Sequence, residues 1–267
     1  MSTPLLDESG RVAPRVDWRE SSPSTNAELV AAAVADPDAW PDFSVIVTDA
    51  QTAGRGRLGR PWTAPPGSAL AISVLLRPGV PIDRLGWIPL IGGLAMTRTV
   101  RWLLADAGMR AADAALKWPN DVLVHGLKVC GVLSELVTDL SVVVGAGLNT
   151  GMTREQLPVE TATSLAIECR RTYSVDEVLA RYLRELRGLY ERFTHAGGDA
   201  RSSGILADVS AACDTLGRRV RVQLPGDTVL EGVARGIDAD GRLNVQADGR
   251  AQLTSISAGD VTHVRLA

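Results

Sequence analysis

A chain of 267 residues with 45% hydrophobic residues, 22% charged residues and a net charge of −3 reads as an ordinary soluble protein of one large domain, or one large and one small. The slight negative balance excludes recruitment of nucleic acid or an anionic membrane by bulk charge. The N-terminus lacks the basic and apolar regions of a signal peptide, and the longest apolar run, residues 85–104, is broken by Arg98 and Arg101. Cys130, Cys169 and Cys213 are far apart and form no C-x-x-C pair, and His125, His195 and His263 show no metal-ligand spacing. These features predict a cytoplasmic protein with reduced thiols, surface histidines and no membrane span.

In chain order, Ser24 or Thr25 caps a helix over residues 26–35, and residues 44–48 read as a buried strand. A glycine–arginine loop follows, then a strand over 69–76, a long helix over 82–108 and a strand ending at Trp118. Residues 121–124, 128–137 and 141–148 read as a meander of hairpins with a turn at His125-Gly126. Ser174 and Glu177 make a capping box. From Val175, apolar residues recur at Val178, Leu179, Tyr182, Leu186, Leu189, Tyr190 and Phe193, the spacing of one helical face. Gly197 and Gly198 end that helix, and a second covers 205–213.

Beyond Leu216, short strands over 220–224, 228–237, 243–247, 251–256 and 261–266 are separated by P-G-D, D-A-D-G, D-G-R and A-G-D turns. Such a series predicts a small antiparallel barrel. All six tryptophans lie between Trp18 and Trp118, and no aromatic residue follows Phe193. That shift predicts two units with different cores, 1–213 and 214–267. The larger is expected to be α+β, with a mixed, mainly antiparallel sheet packed on one face by helices.

Chemistry concentrates in four segments. Between Asp49 and Trp62 the sequence D-A-Q-T-A-G-R-G-R-L-G-R-P-W interleaves Arg55, Arg57 and Arg60 with Gly54, Gly56 and Gly59, and no acidic residue separates Asp49 from Asp83. Glycine permits close backbone approach and arginine offers a planar fork of donors, a combination suited to an anion. Gly54 to Gly59 matches G-x-G-x-x-G, but Arg60-Pro61-Trp62-Thr63-Ala64-Pro65-Pro66 cannot open the helix a dinucleotide site needs. No P-loop and no G-x-S-x-G elbow occurs. Taken alone, the loop fits an anion site, a solvated basic turn or an RNA contact. Lys117-Trp118-Pro119-Asn120-Asp121 brings a lysine, an amide and a carboxylate to one turn. Lys128 opens an otherwise apolar strand that includes Gly131, and there an edge lysine is an equal alternative. Gly145-Ala146-Gly147-Leu148-Asn149 ends a buried strand in small residues and an amide.

In this order and spacing, G-R-G-R-L-G-R-P-W, K-W-P-N-D-V, L-K-V-C-G-V-L-S-E, G-A-G-L-N and Ser24-Thr25-Asn26 resemble the signature segments of the biotin protein ligase family. Gln51 matches that family's Gln ahead of the loop, and Cys130 stands where many relatives have alanine. The resemblance spans nearly the whole chain and implies the biotin/lipoate ligase fold with a small SH3-like barrel. It implies two-step chemistry: biotin and ATP give biotinyl-5′-AMP and pyrophosphate, and biotin then passes to a lysine of a carrier domain. Adenylyl transfer of this kind needs positioning and phosphate-charge stabilisation rather than a covalent enzyme intermediate.

By the same resemblance, Ser24, Thr25, Asn26, Gln51, Gly54, Arg55, Gly56, Arg57, Lys128 and Gly131 surround biotin. Arg57, Arg60, Trp62, Lys117, Asn120, Lys128 and Asn149 surround ATP, with Asn149 near Mg²⁺. Lys128, Arg57 and Asp121 are the expected catalytic residues. The implied partner is the biotin carboxyl carrier of an acyl-CoA or pyruvate carboxylase, and the protein is expected to be a monomer or weak homodimer. Some family members carry an N-terminal winged helix and act as repressors. Here the region ahead of Ser24 is too short for one, so no nucleic-acid binding is expected. The nearest rival is a lipoate ligase or octanoyltransferase of the same fold, and a non-enzymatic nucleotide- or RNA-binding module is more distant.

Overall fold

The computed structural model describes residues 4–224, 228–257 and 260–263. A helical turn, α1 (Asp7–Gly10), leads into β1 (Val16–Trp18), α2 (Thr25–Ala35) and β2 (Val45–Thr48). A two-stranded hairpin, β3 (Gly54–Arg55) and β4 (Pro61–Trp62), carries the glycine–arginine loop and precedes β5 (Ala69–Leu76). Then come α3 (Ile88–Asp106), β6 (Ala114–Lys117), β7 (Asp121–Val124), β8 (Leu127–Leu136) and β9 (Val142–Asn149). Helices α4 (Leu165–Cys169), α5 (Val175–His195) and α6 (Ile205–Ala212) complete the larger unit. Strands β10 (Arg219–Gln223), β11 (Val229–Ile237), β12 (Leu243–Ala247), β13 (Leu253–Ile256) and β14 (Asp260–His263) form the rest.

Seven strands make one sheet in the order β1-β2-β5-β9-β8-β7-β6, with β1 parallel to β2 and the other pairs antiparallel. The last five strands make a separate antiparallel sheet in the order β13-β12-β11-β10-β14, the SH3-like unit. Strand alternation splits each central strand between two faces. Val45, Val47, Val74, Leu76 and Val144 join the core under α3 and α5, while Ile46, Leu75 and Val143 pack with Leu29 and Ala33 of α2 on the other. Helices therefore cover both faces, not one. On the second face α2 covers only part of the sheet, and the site occupies the remainder.

The amphipathic pattern of residues 175–193 is realised as α5: Ser174 Oγ accepts from Glu177 N at 3.1 Å, and Val178, Leu179, Tyr182, Leu186, Leu189 and Phe193 are buried. The expected helix over 82–108 is shorter. Residues 82–87 form 3₁₀ turns and α3 begins at Ile88. Pro89 explains the break, because proline has no N–H to donate and is tolerated only in a helix's first turn. The predicted turn at 225–227, the start of the one at 258–260, and the last-strand residues 264–266 lie outside the described residues. Among the described residues no helix is long and apolar enough to cross a membrane.

The two sheets meet at two buried tryptophans. Trp87 Nε1 donates to Ala239 O at 2.7 Å and Trp118 Nε1 to Gly241 O at 3.0 Å, while Trp118 N donates to Thr215 Oγ1 at 3.0 Å. The small unit thus grips the residue just ahead of Pro119-Asn120-Asp121.

Candidate active site

A cavity of about 370 Å³ opens on the α2 face of the large sheet, within the size range of small-molecule sites. Its floor follows from strand register. Ala71 pairs with Gly147 and Gly147 with Gly131; one row along, Ser73 pairs with Gly145 and Gly145 with Leu133. Small residues side by side on three strands leave room that larger side chains would fill. That room is used by neighbours: a Cβ on Gly145 would lie 2.2 Å from Asn26 Oδ1, and one on Gly147 would lie 2.7 Å from Trp62 Cε2.

The end of the cavity nearest α2 is polar. Ser24 caps α2, its Oγ accepting from Ala27 N. Gln51 Oε1 accepts from Thr25 N at 2.9 Å and from Thr25 Oγ1 at 3.2 Å. Ser73 Oγ lies 2.8 Å from Thr25 Oγ1 and donates to Asn26 Oδ1 at 2.6 Å, and Asn26 Nδ2 donates to Leu133 O at 3.2 Å. Interlocked partners of this kind fix each side chain in one rotamer, so the polar groups are preorganised.

The opposite end is basic. Lys128 Nζ lies 2.6 Å from Asp121 Oδ1, above Gly131, where a Cβ would meet Nζ at 3.0 Å. A bulge sets this geometry. β7 and β8 pair Asp121 with Gly131 and Val122 with Cys130, but Leu123 with Lys128, leaving Val129 as the extra residue. Residues three apart on a regular strand face opposite sides; the bulge puts Lys128 and Gly131 on the same one. From the loop, Arg57 Nη1 donates to Asn120 Oδ1 at 3.2 Å, and Asn120 Nδ2 donates to Val132 O at 2.7 Å. The loop itself turns through positive φ at Leu58 and Gly59.

Ser24, Thr25, Asn26, Gln51, Arg55, Gly56, Arg57, Arg60, Trp62, Asn120, Asp121, Lys128, Gly131 and Asn149 all line this cavity. Gly54 does not; it admits Gln51 and Trp62, since a Cβ there would lie 2.3 Å from Gln51 Nε2. Lys117 also stays outside, paired in register with Asp121 on the strand beyond. The sequence motifs miss one wall, formed by Met152, Pro158, Val159 and Ala162. It is held by β-bridge contacts at Lys128, whose N donates to Thr161 O and whose O accepts from Thr163 N, both at 2.8 Å. No motif marks these residues, and only Ser164, which caps α4, signals order there.

Burial raises the Cys130 thiol well above its ordinary pKa, so this cavity-lining sulfur is a packing group rather than a nucleophile. Among the described residues no group of three or more His, Cys, Asp or Glu could hold a metal ion. The one carboxylate lining the cavity, Asp121, is committed to Lys128, and Asn149 donates Nδ2 to Thr163 O at 2.9 Å. The donor set does not fit a resident Mg²⁺, which binds through one or two carboxylates and substrate phosphates.

A small-residue floor, a polar end, a lysine–aspartate pair and an arginine hairpin together suit a small anionic ligand lying against the sheet. Residues 20–149 match the Biotin/lipoate A/B protein ligase family and residues 215–264 match the Biotin protein ligase C terminal domain. A biotin–[acetyl-CoA-carboxylase] ligase of Mycobacterium tuberculosis is 38% identical over 254 residues, covering 93% of this chain and 90% of that protein. A bifunctional ligase/repressor of Escherichia coli is 31% identical over 209 residues, 76% of this chain and 61% of that one. Among solved structures, an Aquifex aeolicus biotin protein ligase in complex with biotin and ATP superposes with a TM-score of 0.75 at 26% identity, covering 94% of this chain and 99% of that one. The chain belongs to the biotin protein ligase family.

Proposed function

We propose that the cavity binds biotin and MgATP, forms biotinyl-5′-AMP with release of pyrophosphate, and passes biotin to a lysine of a biotin carboxyl carrier domain. The observation that carries this reading is Lys128, held over Gly131 beside Asp121 in the cavity that the arginine hairpin also lines. Ser24, Thr25, Asn26 and Gln51 suit the ureido ring of biotin, and Gly131 and Gly147 let Lys128 and Trp62 lie close to the sheet at the edge of the cavity.

In the first step a biotin carboxylate oxygen bonds to the α-phosphorus of ATP and the bond to the β-phosphate oxygen breaks. Lys128 reduces the repulsion between the two anions, and Arg57 and Arg60 take the growing charge of the leaving pyrophosphate. Mg²⁺ would arrive bound to the nucleotide phosphates and would offset their charge there. In the second step the carrier amine attacks the acyl carbon, AMP leaves, and Asp121 orients the incoming amine. The arginine hairpin keeps the reactive anhydride in place between the steps. Residues 7–10 form α1 and residues 16–18 form β1, the edge strand of the large sheet. The reading places the protein in the cytoplasm, as a monomer or weak homodimer, with carriers of acyl-CoA or pyruvate carboxylases as partners. It divides the chain into a catalytic unit, 1–213, and a supporting unit, 214–267.

The test is acyl-dependent ATP–pyrophosphate exchange compared with biotin, lipoate and octanoate. Biotin alone should stimulate it; stimulation by lipoate or octanoate instead would assign the rival activity, and RNA binding without exchange would remove the enzyme reading. Lys128→Ala removes two charge-assisted hydrogen bonds, together about 3–6 kcal/mol, which corresponds to a loss on the order of 10²–10⁴-fold. Exchange within a few-fold of the unaltered protein would take Lys128 out of the mechanism.

A further inference from the structure

His125 stands away from the cavity at the β7–β8 turn, with φ of +50° followed by Gly126 at +79°. That left-handed position favours glycine, asparagine, aspartate and histidine over other residues. Its ring is engaged at both nitrogens: Nδ1 lies 2.8 Å from Glu168 Oε2 on α4, and Nε2 lies 3.1 Å from Asp113 Oδ2. Only the doubly protonated ring donates to both carboxylates. Glu168 is buried, and its second oxygen accepts from Thr163 Oγ1 at 2.6 Å. Thr163 sits between two cavity residues, its N–H on Lys128 O at 2.8 Å and its carbonyl on Asn149 Nδ2 at 2.9 Å. An unbroken set of contacts therefore runs from a half-exposed imidazole to the backbone of Lys128.

We propose that His125 is a positioning residue: its imidazolium ties the β7–β8 turn to α4 and, through Glu168 and Thr163, holds Lys128, Asn149 and the wall at Val159 and Ala162 in their working places. Among the described residues the charged groups facing the ring are Glu168 and Asp113, with Arg110 Nε 3.9 Å from Asp113 Oδ1 behind them. Glu168, then Asp113, raise the imidazole pKa above its ordinary value against the opposing effect of burial. A raised pKa means the tie is complete at low pH and is lost as pH rises through the folded-state value. The consequence for ATP rests on the ligase reading above; the tie itself does not.

His125→Asn separates a turn role from a positioning role, because asparagine suits the left-handed turn but cannot titrate or span both carboxylates. Two readouts are needed, each taken from about pH 6 to about pH 8.5. Amide hydrogen exchange, corrected for intrinsic rates, reports protection of residues 161–164. Biotin-dependent pyrophosphate exchange reports KM for ATP and kcat. The unaltered protein should lose protection and gain KM as pH rises. His125→Asn should be pH-independent, with weak protection, KM raised about tenfold at the acid end as one charge-assisted bond is lost, and kcat changed less. Glu168→Gln should flatten the same pH profile while keeping part of the protection.

The inference is overturned if His125→Asn keeps the parent's protection and pH profile, or if protection falls while KM for ATP stays unchanged. A parent protein with no biotin-dependent exchange at any pH would instead overturn the ligase reading, and the protection data would still decide the tie.

Discussion

Replacing Gly145 with alanine gives the sharpest test of how the cavity is built, because two physical effects predict opposite signs. Gly145 lies in β9 with no positive φ, so Gly145→Ala on backbone entropy alone should stabilise by about 0.5–1 kcal/mol. The contacts say otherwise. The new Cβ would lie 2.2, 2.8 and 2.9 Å from Asn26 Oδ1, Cγ and Nδ2, so no rotation of that amide relieves the clash. Asn26 must leave, breaking its bonds with Ser73 Oγ and Leu133 O. Two net bonds of about 0.5–1.5 kcal/mol each, in a buried setting, amount to about 2 kcal/mol. Set against the entropic gain, Gly145→Ala should cost about 1–2 kcal/mol. Asn26→Ala should cost about 2 kcal/mol by the same loss. In the double variant the added methyl enters space already vacated. Its cost should therefore match or fall below that of Asn26→Ala alone, a coupling of about 1.5–2.5 kcal/mol. Urea unfolding with unchanged m-values measures all three. Stabilisation by Gly145→Ala, or simple addition of the two costs, would refute the reasoning that Asn26 occupies the space this glycine leaves.

Gly147→Ala presses on the loop instead of the polar end. Trp62 ring atoms at 2.7, 2.9 and 3.0 Å must retreat by about 1 Å to reach ordinary contact distance. Displacement of the arginine hairpin by that amount should slow exchange by up to about 10²-fold and speed dissociation of the adenylate; unchanged retention would show that the indole does not anchor the hairpin. Thr215→Val removes the acceptor of the buried Trp118 N–H and should cost about 1–3 kcal/mol. Because Trp118 precedes Pro119-Asn120-Asp121, pyrophosphate exchange should fall as well. Full exchange activity in a protein destabilised by that amount would mean the small unit does not position the turn.

Much of the site is legible in the sequence, because its chemistry is carried by rare residue types in short segments. Arginines alternating with glycines, a lone lysine opening an apolar strand and a glycine pair ahead of Asn149 each announce themselves locally. So do α5, whose cap and apolar period agree, and the turn at His125-Gly126. What was missed has no local signature. The wall at Met152, Pro158, Val159 and Ala162 comes from an irregular segment ordered by bridging to Lys128. Strand β1 is three residues long and exists because β2 offers it a parallel edge. Lys117, bracketed with Asn120 and Asp121 by sequence, falls outside the cavity because β6 lies one strand further out than β7.

By itself the sequence determined the inventory: which side chains bind anions, where backbones come close, and which helix faces turn inward. Composition, capping and periodicity are short-range properties, so they are written within a few residues. Tertiary structure decided which of those side chains share a surface. Strand register laid Ala71, Gly147 and Gly131 in one row, and the extra residue at Val129 swung Lys128 onto the face that carries them. A one-residue change in pairing reverses the side on which every following residue points, and no local pattern encodes that choice. Only packing of the whole sheet against α2 and α3 fixes it.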